Sequence, residues 1–312
     1  MTAIRIEKLT KSFGETVAVR NLTLAVEQGE LFGLVGPDGA GKTTTMRLLS
    51  AILEPTSGDA WVAGRHIVTE AEEIKEHIAY VGQRFGLYPD LTVAENINFY
   101  ADLYGVPRRE RAARMERLLE FSNLAPFTKR QAGNLSGGMK QKLSLACALI
   151  HKPDILLLDE PTSGVDPLSR HELWRILYDL IREQVTIFVT TAYLDEAERF
   201  HRLALLHEGE LVACGSPQEL KSLLQGAIVE LRPDQPRQAA AVLREQFAPA
   251  AVNLFGNRVH LLTRDPDRDA ARATAALRER GLTLPDPRRI EPSLEDVFLS
   301  LASGEDVVSK ET

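Results

Sequence analysis

The first part of the chain has hydrophobic residues at the alternating positions that are typical of β-strands. Ile4, Ile6 and Leu9 nearly alternate with polar residues, and residues 22–26 predict a second strand. Residues 30–35 form a third apolar segment, which runs directly into a glycine-rich turn and then into a helical pattern. The chain therefore begins as a strand-rich region that leads into a strand–turn–helix unit.

The middle of the chain combines helical and strand patterns. Residues 86–150 are rich in predicted helix. Residues 155–158 are all apolar, which is typical of a strand buried on both faces of a parallel sheet, and residues 185–190 repeat that pattern. Residues 168–182 between them have helical spacing, and residues 203–213 predict a hairpin. This alternation of strand and helix predicts an α/β core.

The composition changes after about residue 226. The pattern that follows predicts strand, helix, strand, strand, helix and a short strand, and then a final helix over residues 294–301. This βαββαβ order suggests a ferredoxin-like domain. We therefore expect an N-terminal domain over residues 1–225, a small α+β domain over residues 226–304 and a polar tail over residues 305–312.

Charge and cysteine content narrow the function classes. The chain has 37 basic and 44 acidic side chains, which argues against nucleic acid as a partner, because neutralising phosphates requires an excess of Lys and Arg. Its two cysteines, Cys147 and Cys214, are far apart, so we expect neither a disulfide framework nor a cysteine zinc site. With no membrane-length apolar run and no signal-peptide core, the expected compartment is the cytosol.

The glycine-rich turn carries a phosphate-binding pattern. Residues 36–43 match G-x-x-x-x-G-K-[ST] between a predicted strand and a predicted helix, which is the context that this motif requires. Backbone N–H groups and the helix N-terminus would bind phosphates, Lys42 would reach the β- and γ-phosphates, and the Thr43 hydroxyl would coordinate Mg²⁺. The expected cofactor-binding residues here are Gly36, Pro37, Asp38, Gly39, Ala40, Gly41, Lys42, Thr43 and Thr44.

Two acids follow the apolar strand over residues 155–158. Ligands of parallel sheets bind at the carboxyl ends of the strands, so Asp159 would hold Mg²⁺, directly or through water. Glu160 would act as the general base that polarises the attacking water. An exposed turn with two acids is the alternative, but the four preceding aliphatic residues and the upstream phosphate loop argue against it.

Residues 135–141, LSGGMKQ, resemble the signature motif of the ATPase subunits of ABC (ATP-binding cassette) transporters. In that family Ser136, Gly137 and Gly138 would face the γ-phosphate bound by a partner subunit. The resemblance extends over about residues 3–224. It implies a P-loop NTPase (RecA-like) core with an antiparallel β subdomain and a helical subdomain over about residues 86–150, and ATP and Mg²⁺ as cofactors.

Further motifs of the family follow in order. Gln83 resembles the Q-loop glutamine, a contact to Mg²⁺ and water, and Phe13 resembles the aromatic residue that stacks on adenine. Residues 163–166 resemble the D-loop at the dimer interface. Residues 85–92 resemble the groove that receives a helix of an integral membrane permease subunit. The resemblance therefore implies a head-to-tail dimer with a second ABC ATPase subunit, docked at the cytoplasmic face of the membrane.

Two features refine this resemblance. Residues 291–299 are similar to the end of the C-terminal extension on ATPases of drug and ion exporters. Ala192 stands where the family has its switch-loop histidine, and Asp38 replaces the usual Asn of the phosphate loop. We therefore expect slow turnover at the chain's own site, while its signature motif completes a site on a partner that retains the histidine.

This pattern resembles the first ATPase half of exporters with two unlike halves, so a heterodimer is favoured over a homodimer. In the homodimer, Glu160 and Gln83 would suffice for hydrolysis. Two different functions fit the motifs less well, namely a non-hydrolysing regulatory ABC subunit and a soluble ABC ATPase outside transport. The retained Glu160 argues against the regulatory subunit. The absence of coiled coils, zinc cysteines and a second cassette argues against the soluble ATPase.

Overall fold

A computed structural model describes residues 1–83 and 86–302. The chain divides into two compact units, Met1–Cys214 and a second unit that begins at Gly215. The division lies before the expected boundary at residue 225, because the helix Pro217–Ser222 packs against the helix Leu294–Ala302 of the second unit.

The first unit contains two sheets and six α-helices among its described residues. Its strands are β1 Thr2–Phe13, β2 Thr16–Glu27, β3 Leu31–Val35, β4 Ser57–Val62, β5 Arg65–His66, β6 Ile78–Val81, β7 Ile155–Asp159, β8 Thr186–Thr191, β9 Arg202–His207 and β10 Glu210–Gly215. Its helices are α1 Lys42–Leu49, α2 Ala71–His77, α3 Val93–Leu103, α4 Arg108–Phe121, α5 Gly137–Leu149 and α6 Pro167–Arg182.

The two sheets differ in burial as the sequence pattern predicts. The four-stranded sheet has the order β2-β1-β4-β5 with antiparallel neighbours, and the alternating side chains of β1 bury only one face. The six-stranded sheet has the order β10-β9-β3-β8-β7-β6, and β3, β7 and β8 are buried throughout. The strands from β9 to β6 in this order are parallel, so the predicted α/β fold class is confirmed.

Helices α3, α4 and α5 form the helical region expected over residues 86–150. Thr92 begins α3 with a capping box, in which its side chain and that of Glu95 bond each other's backbone N–H groups. Ile97, Leu143 and Cys147 lie in the apolar core that α3 shares with α5.

The second unit is a four-stranded sheet with helices. It consists of α7 Pro217–Ser222, β11 Ala227–Leu231, α8 Pro236–Gln246, β12 Val252–Phe255, β13 Arg258–Thr263, α9 Pro266–Glu279, β14 Arg288–Ile290 and α10 Leu294–Ala302. The strand order is β12-β13-β11-β14 with antiparallel neighbours. This is the strand order of a ferredoxin-like βαββαβ sheet.

None of the helices within residues 1–83 and 86–302 combines the length and the apolar character needed to cross a bilayer.

Candidate functional site

The turn between β3 and α1 depends on two of its glycines. A Cβ atom on Gly36 would lie 2.2 Å from the carbonyl oxygen of Leu206. Gly41 has a φ of 98°, and a Cβ atom there would lie 2.3 Å from the carbonyl oxygen of Ala18. Only glycine fits such a close approach of backbone to backbone, and a positive φ at Gly41 further favours it. The turn therefore has the tight backbone that the phosphate-loop motif requires.

This turn borders a cavity of about 240 Å³ that brings half of the predicted site residues together. The cavity is lined by Ala18, Asp38, Gly39, Gly41, Lys42, Thr43, Thr44, Gln83 and Glu160. Residues from four separate segments thus meet at the carboxyl ends of the parallel strands. Asp159 is adjacent, since it accepts a hydrogen bond from Thr43.

Lys42 has a side chain that is only 4% exposed. Its ammonium group donates to the carbonyl oxygens of Gly36 at 2.8 Å and Pro37 at 3.0 Å. It also lies 3.2 Å from a carboxylate oxygen of Glu160. A buried ammonium group needs such partners, because desolvation of an unpaired charge is costly. The positive charge is therefore held at the rim of the cavity.

Asp159 ends β7 and is 1% exposed. Its Oδ1 accepts hydrogen bonds from the hydroxyl groups of Thr43 at 3.1 Å and Thr190 at 2.7 Å. Its Oδ2 accepts from the Tyr80 hydroxyl at 3.4 Å. Burial, reinforced by the nearby Asp159 charge, raises the pKa of the Tyr80 hydroxyl, so Tyr80 stays protonated and donates.

Glu160 adopts a left-handed conformation, with a φ of 50°. Such a conformation costs a non-glycine residue about 1–3 kcal/mol and persists only where the surroundings hold it. The Glu160 N–H donates to the Thr190 carbonyl oxygen at 3.1 Å and to the Thr190 hydroxyl at 3.0 Å. The Glu160 carboxylate lies between Lys42 and the Gln83 amide, which donates to it at 2.8 Å. Both backbone and side chain of Glu160 are thus fixed.

Residues of the LSGGMKQ motif lie outside this cavity. Ser136 caps α5 and accepts a hydrogen bond from the Met139 N–H at 3.3 Å. Gly137 is exposed, whereas Gly138 is buried against α6, where a Cβ atom would lie 2.2 Å from the Ser169 hydroxyl. Phe13, the predicted adenine contact, ends β1 with 52% of its surface exposed and is not among the residues that line the cavity.

The expected docking region is only partly described, since Phe85 lies outside the described residues. Leu87 and Pro89, together with Gly133 and Lys140, line a second cavity of about 350 Å³. Gln83 lines both cavities. The predicted Q-loop residue therefore connects the phosphate-loop cavity with the predicted docking groove.

Three polar residues near the site have no signal in the sequence pattern. Thr190 and Glu196 are buried, and Tyr80 is partly buried. Thr190 and Tyr80 contact Asp159, but they are recognisable only once strand register places them beside it. Glu196 belongs to an acidic segment that resembles a solvated turn, yet it is 1% exposed and accepts from the hydroxyls of Thr162 and Thr191. Ala192 follows β8 directly and offers no polar side chain there.

Comparison with known proteins identifies the family. A sequence model described as ABC transporter matches residues 19–163. The Nod factor export ATP-binding protein I of Burkholderia thailandensis is 37% identical over 306 residues, which cover 97% of both chains. The chain belongs to the ABC transporter family. It is an ATP-binding subunit of that family, as the LSGGMKQ motif predicts.

Further ABC relatives differ in coverage. The probable multidrug ABC transporter ATP-binding protein YbhF of Escherichia coli K12 is 42% identical over 221 residues, which are 71% of this chain but only 38% of YbhF. A solved ATP binding subunit of an ABC transporter matches 71% of this chain and 93% of its own, with a TM-score of 0.65 and 28% identity. The ATP-binding cassette MJ0796 was solved as a dimer bound to ADP and Pi. It matches 68% of this chain and 98% of its own chain, with a TM-score of 0.62 and 27% identity.

Proposed function

We propose that this ABC subunit binds and hydrolyses ATP at the cavity beside the phosphate loop. The observation that carries the proposal is the convergence of Lys42 and Gln83 on the Glu160 carboxylate at that cavity. Lys42 would bind the β- and γ-phosphates, and Glu160 would act as the general base toward water positioned by Gln83.

The residues beside the cavity suit Mg²⁺. The Thr43 hydroxyl, the Asp159 carboxylate and the Gln83 amide supply oxygen atoms, which are the ligands that Mg²⁺ prefers. The Thr43–Asp159 hydrogen bond holds two of these groups together. Bound with ATP, the ion would neutralise negative charge on the phosphates.

We further propose a head-to-tail dimer in which Ser136, Gly137 and Gly138 of one subunit face the nucleotide of the other. Support comes from the position of these residues, which begin α5 away from the chain's own cavity. A helix N-terminus and its free N–H groups attract anions, as a partner's γ-phosphate requires. Phe13 would stack on adenine, for which its half-exposed ring at the end of β1 is available.

The transport role is proposed as export through separate integral membrane permease subunits. Relatives that match the chain along nearly their whole length are named for Nod factor export, and YbhF is named for multidrug transport. The permease subunits would dock in the groove near residues 85–92, which would place the chain at the cytoplasmic face of the membrane.

Ala192 leads us to propose slow turnover at the chain's own site. A switch-loop histidine would contact the γ-phosphate, and loss of one such contact typically lowers the rate by about 10²–10³-fold. The signature motif would then serve a histidine-bearing partner in a heterodimer. A homodimer in which Gln83 and Lys42 position Glu160 well enough is the second candidate, favoured by their two contacts to that carboxylate.

The test is ATP hydrolysis by the purified chain, its Ala192→His variant and its Glu160→Gln variant. If the site is slow because of Ala192, then Ala192→His raises the rate well above wild type. If wild type is already fast and Glu160→Gln lowers the rate by about 10²–10⁴-fold, the slow-site proposal fails and hydrolysis by Glu160 stands.

Glu76→Gln, on the exposed face of α2, is the matched control and should leave the rate unchanged. Absence of hydrolysis in wild type, in Ala192→His and in mixtures with a histidine-bearing partner would contradict the proposed ATPase.

A further inference from the structure

The hydroxyl group of Thr190 connects the two acids of the site. In the parallel pairing of β7 with β8, Thr190 lies opposite Asp159, so the two side chains stand next to each other. Thr190 is 0% exposed. Its hydroxyl lies 2.7 Å from Asp159 Oδ1 and 3.0 Å from the backbone nitrogen of Glu160.

The chemistry of these groups assigns the direction of both hydrogen bonds. The backbone N–H of Glu160 can only donate, so the Thr190 hydroxyl oxygen accepts from it. The single hydroxyl proton of Thr190 is then directed to the Asp159 carboxylate. The Thr190 hydroxyl thus donates to the Asp159 carboxylate and accepts from the backbone N–H of Glu160.

Both bonds fix a geometry that matters at this site. Asp159 Oδ1 receives two hydroxyl donors, of which Thr43 belongs to the phosphate loop and Thr190 to the neighbouring strand. Glu160 has the left-handed backbone conformation, and Thr190 holds its N–H with both hydroxyl and carbonyl oxygen. With Ala192 two residues further on, the positioning of Glu160 rests on Thr190, Lys42 and Gln83.

We propose that Thr190 is a positioning residue for both acids, which orients Asp159 for the cation and Glu160 for water. This inference rests on the proposed ATP site. Thr190 does not touch the nucleotide in this scheme, and it acts through the two carboxylates. Partners of metal-ligating carboxylates typically contribute about 10–100-fold to metal affinity or activity.

The test compares Thr190→Val, which keeps the shape but removes the hydroxyl, with Thr190→Ser, which keeps the hydroxyl. The first readout is binding of a fluorescent, non-hydrolysable ATP analogue with Mg²⁺ and with EDTA. The Mg²⁺ effect is the factor by which Mg²⁺ increases the affinity for the analogue over that in EDTA. We expect Thr190→Val to reduce this factor about 10-fold and to leave the affinity in EDTA as in wild type. Thr190→Ser should restore the Mg²⁺ effect.

Thr186→Val is the matched control on the same strand. Thr186 is buried, and its hydroxyl accepts a hydrogen bond from Gly29 rather than from the site. The Thr186→Val variant should leave the Mg²⁺ effect unchanged, even if it changes the melting temperature. If Thr186→Val weakens the Mg²⁺ effect as much as Thr190→Val, or if Thr190→Val leaves that effect unchanged, the inference is overturned.

Hydrolysis separates this inference from the proposed function. If Glu160→Gln abolishes hydrolysis while Thr190→Val leaves both the rate and the Mg²⁺ effect unchanged, Thr190 has no positioning role and the ATPase proposal stands. If no hydrolysis is detected in any form of the chain, alone or mixed with a histidine-bearing partner, the ATPase proposal fails, and the Mg²⁺-dependent binding still decides the role of Thr190 toward Asp159.

Discussion

Glu196 is a buried carboxylate that joins three segments around the site. It accepts hydrogen bonds from the hydroxyls of Thr162 at 2.9 Å and Thr191 at 2.9 Å, and from the indole N–H of Trp174 at 3.4 Å. The Arg170 guanidinium lies 3.6 Å away. At the scale of single residues, one buried acceptor side chain therefore connects the end of β8, α6 and the segment that follows Glu160.

We predict that Glu196→Gln lowers the free energy of unfolding by about 1–3 kcal/mol. The substituted side chain replaces an acceptor oxygen by a donor NH₂ group, which cannot satisfy all the surrounding donors. Urea denaturation measures the change. Glu116→Gln, at an exposed position of α4, is the control, and we expect it to stay within about 0.5 kcal/mol of wild type. Equal losses in the two variants would contradict the proposed network.

At the scale of elements, the contact between α5 and α6 depends on the absence of one side chain. A Cβ atom on Gly138 would lie 2.3 Å from the Cβ atom of Ser169, near the start of α6. Ser169 donates its N–H to the Asp166 cap of α6, and this bond lowers the pKa of Asp166. The start of α5 can therefore approach the start of α6 only with glycine at position 138.

We predict that Gly138→Ala destabilises the chain by about 1–3 kcal/mol, because the two helices must move apart. Gly137→Ala is the matched control, since the nearest atom to its added Cβ lies 3.9 Å away. Alanine is the better helix former by up to about 1 kcal/mol, so Gly137→Ala should be neutral or stabilising. Thermal unfolding measures both, and a Gly138→Ala variant as stable as Gly137→Ala would rule out the close contact.

At the scale of the whole molecule, each compact unit has its own core, and the core of the second unit contains charged groups. Asp296 in α10 accepts a hydrogen bond from His260 of β13 at 2.8 Å and from the Ser293 hydroxyl at 2.6 Å. Burial alone would raise the pKa of Asp296, but the bonds from His260 and Ser293 hold that pKa below its ordinary value. Asp296 thus connects the last helix to the sheet.

The depressed pKa makes the second unit sensitive to acid. The stabilisation by Asp296 is fully present above the pKa of an unfolded Asp, about 3.9, and is lost as the pH falls through the lower, folded value. We predict that Asp296→Asn destabilises the chain at neutral pH and flattens the loss of stability below about pH 5. Calorimetry at a series of pH values measures this. Asp286→Asn, exposed in the same unit, should keep the wild-type slope.

Much of the fold could be predicted from local pattern. The all-apolar run before Asp159 predicts a strand buried on both faces, and β7 is buried throughout. The helix-rich pattern over residues 86–150 corresponds to α3, α4 and α5. The division between the two units was harder to predict, because α7 resembles a continuation of the first unit until its packing against α10 assigns it to the second.

The family, the phosphate loop and the identity of the two acids follow from the amino-acid sequence alone, because they depend on residue types at fixed spacing along the chain. The lack of an imidazole at residue 192 follows from it too. The folded chain was needed to show that Thr190 bonds both acids, that Tyr80 contacts Asp159, and that Glu196 is buried. These contacts join residues that are distant in sequence, and strand register and the burial of an acid are properties of the folded state.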